Sequence, residues 1–119
     1  MKGIGVDIVE FDRIRAVKNR AKFVDKILSA KEKDVYVTFK NENRQLAYLA
    51  GRWAAKEALY KADNQLCTGH AFTDFAILND ETGAPYVVLP VTTKAKAVPK
   101  VYLTISHSDN YAVAFVVLS

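Results

Sequence analysis

The chain has 119 residues, half of them apolar and 25% charged, which is typical of a single soluble globular domain over residues 1–119 and excludes a disordered chain. Its apolar runs are too short to cross a bilayer and we identify no signal peptide, so we expect a cytoplasmic protein without membrane contact. One cysteine excludes an internal disulfide, and two histidines argue against a structural zinc site. A net charge of +4 favours an acidic protein, nucleotide or nucleic acid as partner.

The first predicted element is a buried strand over residues 3–9, and Asp7 interrupts its apolar run. A carboxylate in such a position needs hydrogen bonds or a cation, unless it caps a neighbouring helix N-terminus. Gly3 and Gly5 resemble the start of a dinucleotide-binding fingerprint. Ile8 follows them and no third glycine does, so we reject that motif.

A basic segment comes next. Residues 10–17 are expected to form a short helix with Arg13 and Arg15, and residues 18–26 add further basic side chains around Phe23. By composition this segment is a solvated amphipathic face. It also suits a docking surface for an acidic partner, because such charges raise the encounter rate and fix orientation.

Two helix start signals follow. Ser29 and Glu32 match the S-x-x-E capping box, which predicts a helix running to about Phe39. Either Asn41 or Asn43 can then cap a long central helix that ends near residue 62 or 63.

The central helix contains the most informative stretch, residues 46–61. At about 100° per residue, one apolar stripe consists of Leu46, Leu49, Ala50, Trp53 and Ala54. Glu57 falls on the same stripe, with Lys61 one turn further. This pair either reaches solvent as an i,i+4 ion pair or is partnered by a cation or an anionic ligand, because lone charges are costly to bury. Gly51, which costs about 1 kcal/mol in a helix relative to alanine, indicates close packing against a neighbouring backbone.

The last part of the chain is predicted to be mainly strands. In order, the sequence predicts a loop over 64–71, a hairpin of strands 75–78 and 86–89, a helix from Thr92 or Thr93 to Val98, and a hairpin of strands 101–106 and 111–118. Helices that are separated from a mainly antiparallel sheet in this way indicate an α+β fold with a long central helix.

Four motifs occur together: GIGVDIVEFDRI at the start, LAGRWAAKEALYKA in the central helix, GAP at 83–85 and LTISHS near the end. In this order and spacing they resemble the holo-[acyl-carrier-protein] synthases, which are small 4'-phosphopantetheinyl transferases. The resemblance covers nearly the whole chain. It implies an enzyme that moves 4'-phosphopantetheine from coenzyme A to a serine of apo acyl carrier protein, releases adenosine 3',5'-bisphosphate and supports fatty acid biosynthesis. It also implies Mg²⁺ as cofactor and a homotrimer with active sites at subunit interfaces.

The same resemblance implies roles for particular residues. Asp7 and Glu57 match the metal ligands, and two carboxylates suit Mg²⁺, which keeps waters and binds substrate phosphates. Lys61 matches the ammonium that contacts the phosphates, and Glu57 is our hypothesis for the base that takes the serine proton. The residues implied for the coenzyme A pocket, besides Lys61, are Arg52, Pro85, Ser106 and His107. The residues implied for carrier-protein docking are Arg13, with Arg20 and Lys22 as an extension of that surface.

The chain departs from the family pattern at two places. The family usually has a G-T-G loop after K-A, whereas here residues 63–69 read DNQLCTG, and Ala84 stands where many relatives have lysine. The first departure puts in question how the pantetheine phosphate is held. The alternatives are another Mg²⁺-dependent nucleotide phosphoryl-transfer or hydrolase activity and a non-catalytic basic binding module. We expect no nucleic acid partner, because Asp7 and Glu57 would repel phosphates without a metal.

Overall fold

The fold is built around one long helix. The computed structural model describes residues 1–90 and 99–119, and the helix predicted from Thr92 or Thr93 to Val98 lies outside the described residues. The helices are α1 (Phe11–Arg15), α2 (Arg20–Ile27), α3 (Ala30–Tyr36), α4 (Glu42–Ala62) and α5 (Asn64–Cys67), with a 3-10 turn at Phe72–Asp74. The strands are β1 (Gly3–Glu10), β2 (Ala76–Asn79), β3 (Pro85–Val88), β4 (Val101–His107) and β5 (Tyr111–Leu118). No helix in these two ranges has the length and apolar character needed to cross a bilayer.

The strands pair in an antiparallel manner. β1, β5 and β4 form one sheet in that order, while β2 and β3 form a separate hairpin. Helix α4 packs across the larger sheet and also contacts α1, α2 and α3. Both predicted hairpins are therefore confirmed, as is the α+β class with a mainly antiparallel sheet and a long central helix.

Strand β1 has one buried and one exposed face, so the prediction of a buried strand is wrong for the exposed face. Gly5 and Val9 are buried, whereas the apolar side chains of Ile4, Val6 and Ile8 are exposed to 51%, 51% and 58%. Side chains alternate along a strand, and only the first set faces α4. The other face of the sheet leaves large apolar side chains open to solvent.

Gly3 and Gly5 let β1 approach α4 closely. A Cβ atom at Gly5 would lie 2.0 Å from the carbonyl oxygen of Ala58, and one at Gly3 would lie 2.2 Å from that of Ala62. These distances leave no room for a side chain, which is the structural reason for the glycine pair. Gly51 differs from its prediction, because the neighbour at 3.1 Å is a side-chain methyl group of Ile105 and not a backbone.

Replacement of Gly5 by alanine is expected to lower the free energy of unfolding by at least about 3 kcal/mol, since the backbone of Ala58 cannot yield as a side chain can. Urea denaturation measures the change. The matched control is Gly51→Ala, which meets only a side chain and gains helix propensity, so its stability should stay within about 1 kcal/mol of the wild type. Equal effects of the two substitutions would contradict this account of β1 packing.

Helix α4 is buried on more sides than an amphipathic stripe predicts. The predicted stripe is buried except for Trp53, which lies half-buried at the edge of the core, where its ring meets that of Phe23 at 5.0 Å between centroids. The further buried residues are Gly51, Arg52, Ala55, Lys56, Ala58 and Leu59. Arg52, Lys56 and Leu59 lie on the side of the helix turned away from Ala54 and Ala58, so neighbours pack against α4 on more than one side. Of the two predicted caps, Asn41 and Asn43, it is Asn41 that starts the helix, and the predicted end near residue 62 is confirmed.

Helix α3 begins as predicted and ends early. The Ser29 hydroxyl accepts a hydrogen bond from the Glu32 amide, and the Glu32 carboxylate accepts one from the Ser29 amide, so the capping box is confirmed. The helix ends at Tyr36 rather than near Phe39.

The segment after α4 is more ordered than the predicted loop. The Asp63 side chain accepts hydrogen bonds from the amides of Gln65 and Leu66 and so starts α5 directly after α4. Gly69 follows with a positive φ of 83°, a conformation that glycine adopts at little cost. A capped helical turn therefore stands where the sequence departs from the G-T-G pattern, and the predicted loop over 64–71 is wrong for Asn64–Cys67.

Candidate active site

A cleft of about 480 Å³ lies beside the N-terminal half of α4, between the turns of the two hairpins. Its lining includes Arg52, Pro85 and His107, three of the residues that the resemblance assigned to the coenzyme A pocket. Arg44 and Asn79 also line it, and neither was predicted. The fold thus brings residues from α4, β3 and β4 into one cavity with several basic side chains.

Arg52 is held rigidly at this cleft. Its Nε donates a hydrogen bond to the carbonyl oxygen of Ile77 at 3.2 Å, and another guanidinium nitrogen donates to the Asn79 side chain. The guanidinium carbon also lies 4.1 Å from the centre of the Tyr48 ring, and burial raises the pKa of the Tyr48 phenol above its ordinary value. A planar cation fixed by three partners is well suited to binding a phosphate or a nucleotide.

A second group of charged side chains joins β1 to the C-terminal end of α4. The Lys61 Nζ lies 3.0 Å from Asp7 Oδ1 and donates a further hydrogen bond to the carbonyl oxygen of Val6 at 3.1 Å. Glu57 is partly buried one turn earlier on α4. In the described parts of the chain, Lys61 therefore pairs with Asp7 and not with Glu57, and Asp7 does not act as a helix cap.

The donor set of this second group fits a lightly coordinated cation. Asp7 already binds one cation at hydrogen-bond distance, namely the Lys61 ammonium. Among residues 1–90 and 99–119 there is no group of three or more His, Cys, Asp and Glu side chains that could hold a metal ion. Asp7 and Glu57 alone do not make a closed zinc site, whereas Mg²⁺, which keeps several waters, is usually bound through one or two carboxylates.

Ser106 does not join the other pocket residues within one chain. It lies next to His107 on β4, so the two side chains point to opposite faces of the sheet. His107 lines the cleft, whereas Ser106 pairs in register with Val113 on the exposed face. Asp7, Glu57 and Lys61 likewise do not line the cleft of this chain.

The predicted docking residues lie on α1 and α2. The Arg13 guanidinium stacks 4.6 Å above the Trp53 ring, and Arg20 is 3.7 Å from a carboxylate oxygen of Glu42. Lys22 is exposed to solvent. Two of the three basic side chains are thus held by packing or pairing, and the third is free to meet a partner.

Comparison with known proteins connects these positions to an enzyme family. The sequence model of the 4'-phosphopantetheinyl transferase superfamily matches residues 3–116. The chain belongs to this superfamily. A holo-[acyl-carrier-protein] synthase from Acholeplasma laidlawii is 46% identical over 115 residues, which cover 97% of the chain and 93% of that protein.

Solved structures of such enzymes share the fold. A holo-(acyl-carrier-protein) synthase from Bacillus anthracis in complex with CoA (3',5'-ADP) gives a TM-score of 0.79 at 37% identity, covering 98% of this chain and 95% of that chain. The corresponding enzyme from Neisseria meningitidis gives 0.83 at 27% identity, covering 100% and 98%. The family, the fold and the phosphopantetheinyl transferase activity predicted from the sequence are confirmed.

This phosphopantetheinyl transferase also contains a buried ion pair that the sequence analysis missed. Lys56 Nζ lies 2.6 Å from Glu32 Oε1, and both side chains have 0% exposure. Burial lowers the pKa of the Lys56 ammonium, and the Glu32 carboxylate opposes that shift. The available signal was the position of Lys56, one turn after Arg52 on the same side of the central helix.

The only cysteine of the transferase is not an activated nucleophile. Cys67 is buried, and burial raises the pKa of its thiol to about 11. The thiol therefore stays protonated at neutral pH.

We expect iodoacetamide to leave Cys67 unmodified in the native protein at about pH 8, where the thiolate is the reactive form. Mass spectrometry should detect one carbamidomethyl group only after denaturation in urea. Rapid labelling of the folded protein would contradict the buried, protonated state of this thiol.

Proposed function

We propose that this chain transfers 4'-phosphopantetheine from coenzyme A to a serine of apo acyl carrier protein and releases adenosine 3',5'-bisphosphate. The observation that carries the proposal is the cleft in which Arg52 is fixed beside Pro85 and His107. The relatives from Acholeplasma laidlawii and Bacillus anthracis are holo-[acyl-carrier-protein] synthases, and the latter is in complex with CoA (3',5'-ADP). The cleft therefore receives the nucleotide half of coenzyme A, which carries the phosphates that arginine binds.

The reacting phosphates belong at the second charged group. Asp7 and Glu57 would hold Mg²⁺, which supplies charge neutralisation on the pyrophosphate. Lys61 exchanges its hydrogen bond to Asp7 for one to a phosphate oxygen. The serine Oγ forms a bond to the phosphorus next to pantetheine, its proton passes to Glu57, and the bond to the bisphosphate leaving group breaks.

A homotrimer would bring the residues of the cleft and the charged group of Asp7, Glu57 and Lys61 together in complete active sites. The face of the sheet opposite α4 carries exposed apolar side chains on all three strands: Ile4, Val6, Ile8, Tyr102, Tyr111 and Phe115. An apolar patch of this kind marks an interface between protein copies. Ser106 lies on the same face and would then reach the coenzyme A pocket of a neighbouring copy. A monomer in sedimentation analysis at assay concentration would contradict this part of the proposal.

Incubation with coenzyme A, Mg²⁺ and an apo carrier protein tests the transfer. Intact mass spectrometry should show one phosphopantetheine added to the carrier, on its serine, with one equivalent of adenosine 3',5'-bisphosphate released. If no carrier protein of the source organism gains this mass, the proposed activity is refuted.

We also assign the reaction to the cytoplasm, because a free, protonated cysteine is typical of proteins in a reducing compartment.

The basic residues of α2 should govern carrier binding. Arg20→Glu and Lys22→Glu are each expected to raise the KM for an acidic carrier protein by about tenfold at low salt, with a smaller effect at high salt and little change in kcat. Steady-state kinetics at two ionic strengths measures this. Lys31→Glu, the same charge change at an exposed position in the first turn of α3, should leave KM unaltered. An equal rise in all three variants would mean that net charge and not a local docking surface determines binding.

A further inference from the structure

The β2–β3 hairpin supplies part of the cleft, and within residues 1–90 and 99–119 it forms a two-stranded sheet separate from the main sheet. Asn79, Gly83 and Pro85 all line the cleft, and they lie at the end of β2, in the turn and at the start of β3. A two-stranded hairpin alone is only marginally stable. The position of these three residues therefore depends on the packing of β3 against β4 and on the side chains that bind β2.

Two charged side chains fix β2 at Ile77. The Ile77 amide donates a hydrogen bond to Glu32 Oε2 at 2.9 Å, and the Ile77 carbonyl accepts one from Arg52 Nε at 3.2 Å. Ile77 itself has 0% exposure. Both polar groups of one buried residue are thus bound by side chains from α3 and α4.

Glu32 is in turn fixed by Lys56. Glu32 Oε1 accepts hydrogen bonds from Lys56 Nζ at 2.6 Å and from the Ser29 amide at 2.8 Å. Lys56 Nζ also donates to the carbonyl oxygen of Ile27 at 2.6 Å. The capping box needs only one of the two carboxylate oxygens, so the hydrogen bond that Oε2 accepts from the Ile77 amide is an additional function of Glu32. This network joins the end of α2, the start of α3, the middle of α4 and β2.

We infer that Glu32 and Lys56 are positioning residues for nucleotide binding, because their ion pair places the β2–β3 hairpin at the cleft through Ile77. The inference rests on the proposed function, which assigns the cleft to the nucleotide half of coenzyme A. Neither residue lines the cleft, so they act through the hairpin and not by contact with the substrate.

The test compares Glu32→Gln and Lys56→Met with the wild type. Each should raise the KM for coenzyme A and the Kd for adenosine 3',5'-bisphosphate by about tenfold or more, with kcat nearly unchanged, since displaced lining residues weaken binding. Amide hydrogen exchange should quicken in the hairpin, residues 76–88, while the amides of β5 keep their protection.

A matched control separates positioning from general destabilisation. Val116→Ala removes core volume in β5, between Gly5 and Leu103 of the neighbouring strands. It should lower the Tm without changing the Kd or the exchange in the hairpin. If the pair variants behave in the same way, the ion pair is merely structural and the inference is wrong.

Two further outcomes are distinguishable. If Lys56→Met does not fold, Glu32→Gln decides, because it keeps the side-chain shape and exchanges only one acceptor oxygen for an amide group. A wild type that binds adenosine 3',5'-bisphosphate but modifies no carrier protein contradicts the proposed function alone. Unchanged nucleotide affinity and hairpin exchange in Glu32→Gln contradict the inference alone.

Discussion

Asp7→Asn and Glu57→Gln are each expected to lower the rate of phosphopantetheine transfer by about 10³-fold while the protein stays folded. Both substitutions keep the size of the side chain and remove its negative charge. Asp7 loses the charge that attracts a cation, as its contact with the Lys61 ammonium already demonstrates. Glu57 loses both that charge and the ability to accept the serine proton.

The measurement combines transfer kinetics with metal binding. Intact mass spectrometry gives the rate, isothermal titration with Mg²⁺ in the absence of coenzyme A gives the metal affinity, and thermal unfolding gives the Tm. The control is Asp63→Asn, a partly buried carboxylate just beyond Lys61 whose amide replacement still caps α5. It should transfer at close to the wild-type rate. A near-normal rate for either Asp7→Asn or Glu57→Gln would show that the carboxylates were assigned wrongly.

The local patterns in the sequence predicted most of the fold. The capping box at Ser29 and the cap at Asn41 depend on residues only a few positions away, so their outcome did not require knowledge of the tertiary structure. The same applies to both hairpins, whose turns and apolar alternation are local features. The turn of helix at α5 was missed because one aspartate, Asp63, ends α4 and starts α5 at the same point.

The site was less predictable, because its partners are distant in sequence. Asp7 and Lys61 attracted attention as charges within apolar patterns, yet nothing local indicated that they contact each other. Lys56 was missed because a helix with one buried face would have left it in solvent, whereas α4 is packed on several sides. The opposite orientations of Ser106 and His107, in contrast, follow from strand alternation and were available from the sequence.

Lys61→Met is expected to lower the transfer rate by about 10²-fold, because the variant loses a cation that stabilises charge on the phosphates. The same substitution should strengthen Mg²⁺ binding in the absence of coenzyme A by up to about fivefold. In the wild type, Asp7 must break its ion pair with Lys61 before it binds a metal, and such partly exposed pairs are weak. Isothermal titration and transfer kinetics on one preparation measure the two effects.

The opposite signs of these effects make the substitution informative. Lys61→Arg, which keeps the positive charge beside Asp7, serves as the control and should leave the Mg²⁺ affinity near the wild-type value. A role of Lys61 in folding alone would lower the rate and the metal affinity together. If Lys61→Met binds Mg²⁺ no more tightly than the wild type, the ammonium and the metal do not compete for Asp7, and Asp7 is not the ligand that we assign. If the Mg²⁺ affinity rises while the transfer rate falls, Lys61 pairs with Asp7 in the free enzyme and contacts the phosphates during transfer.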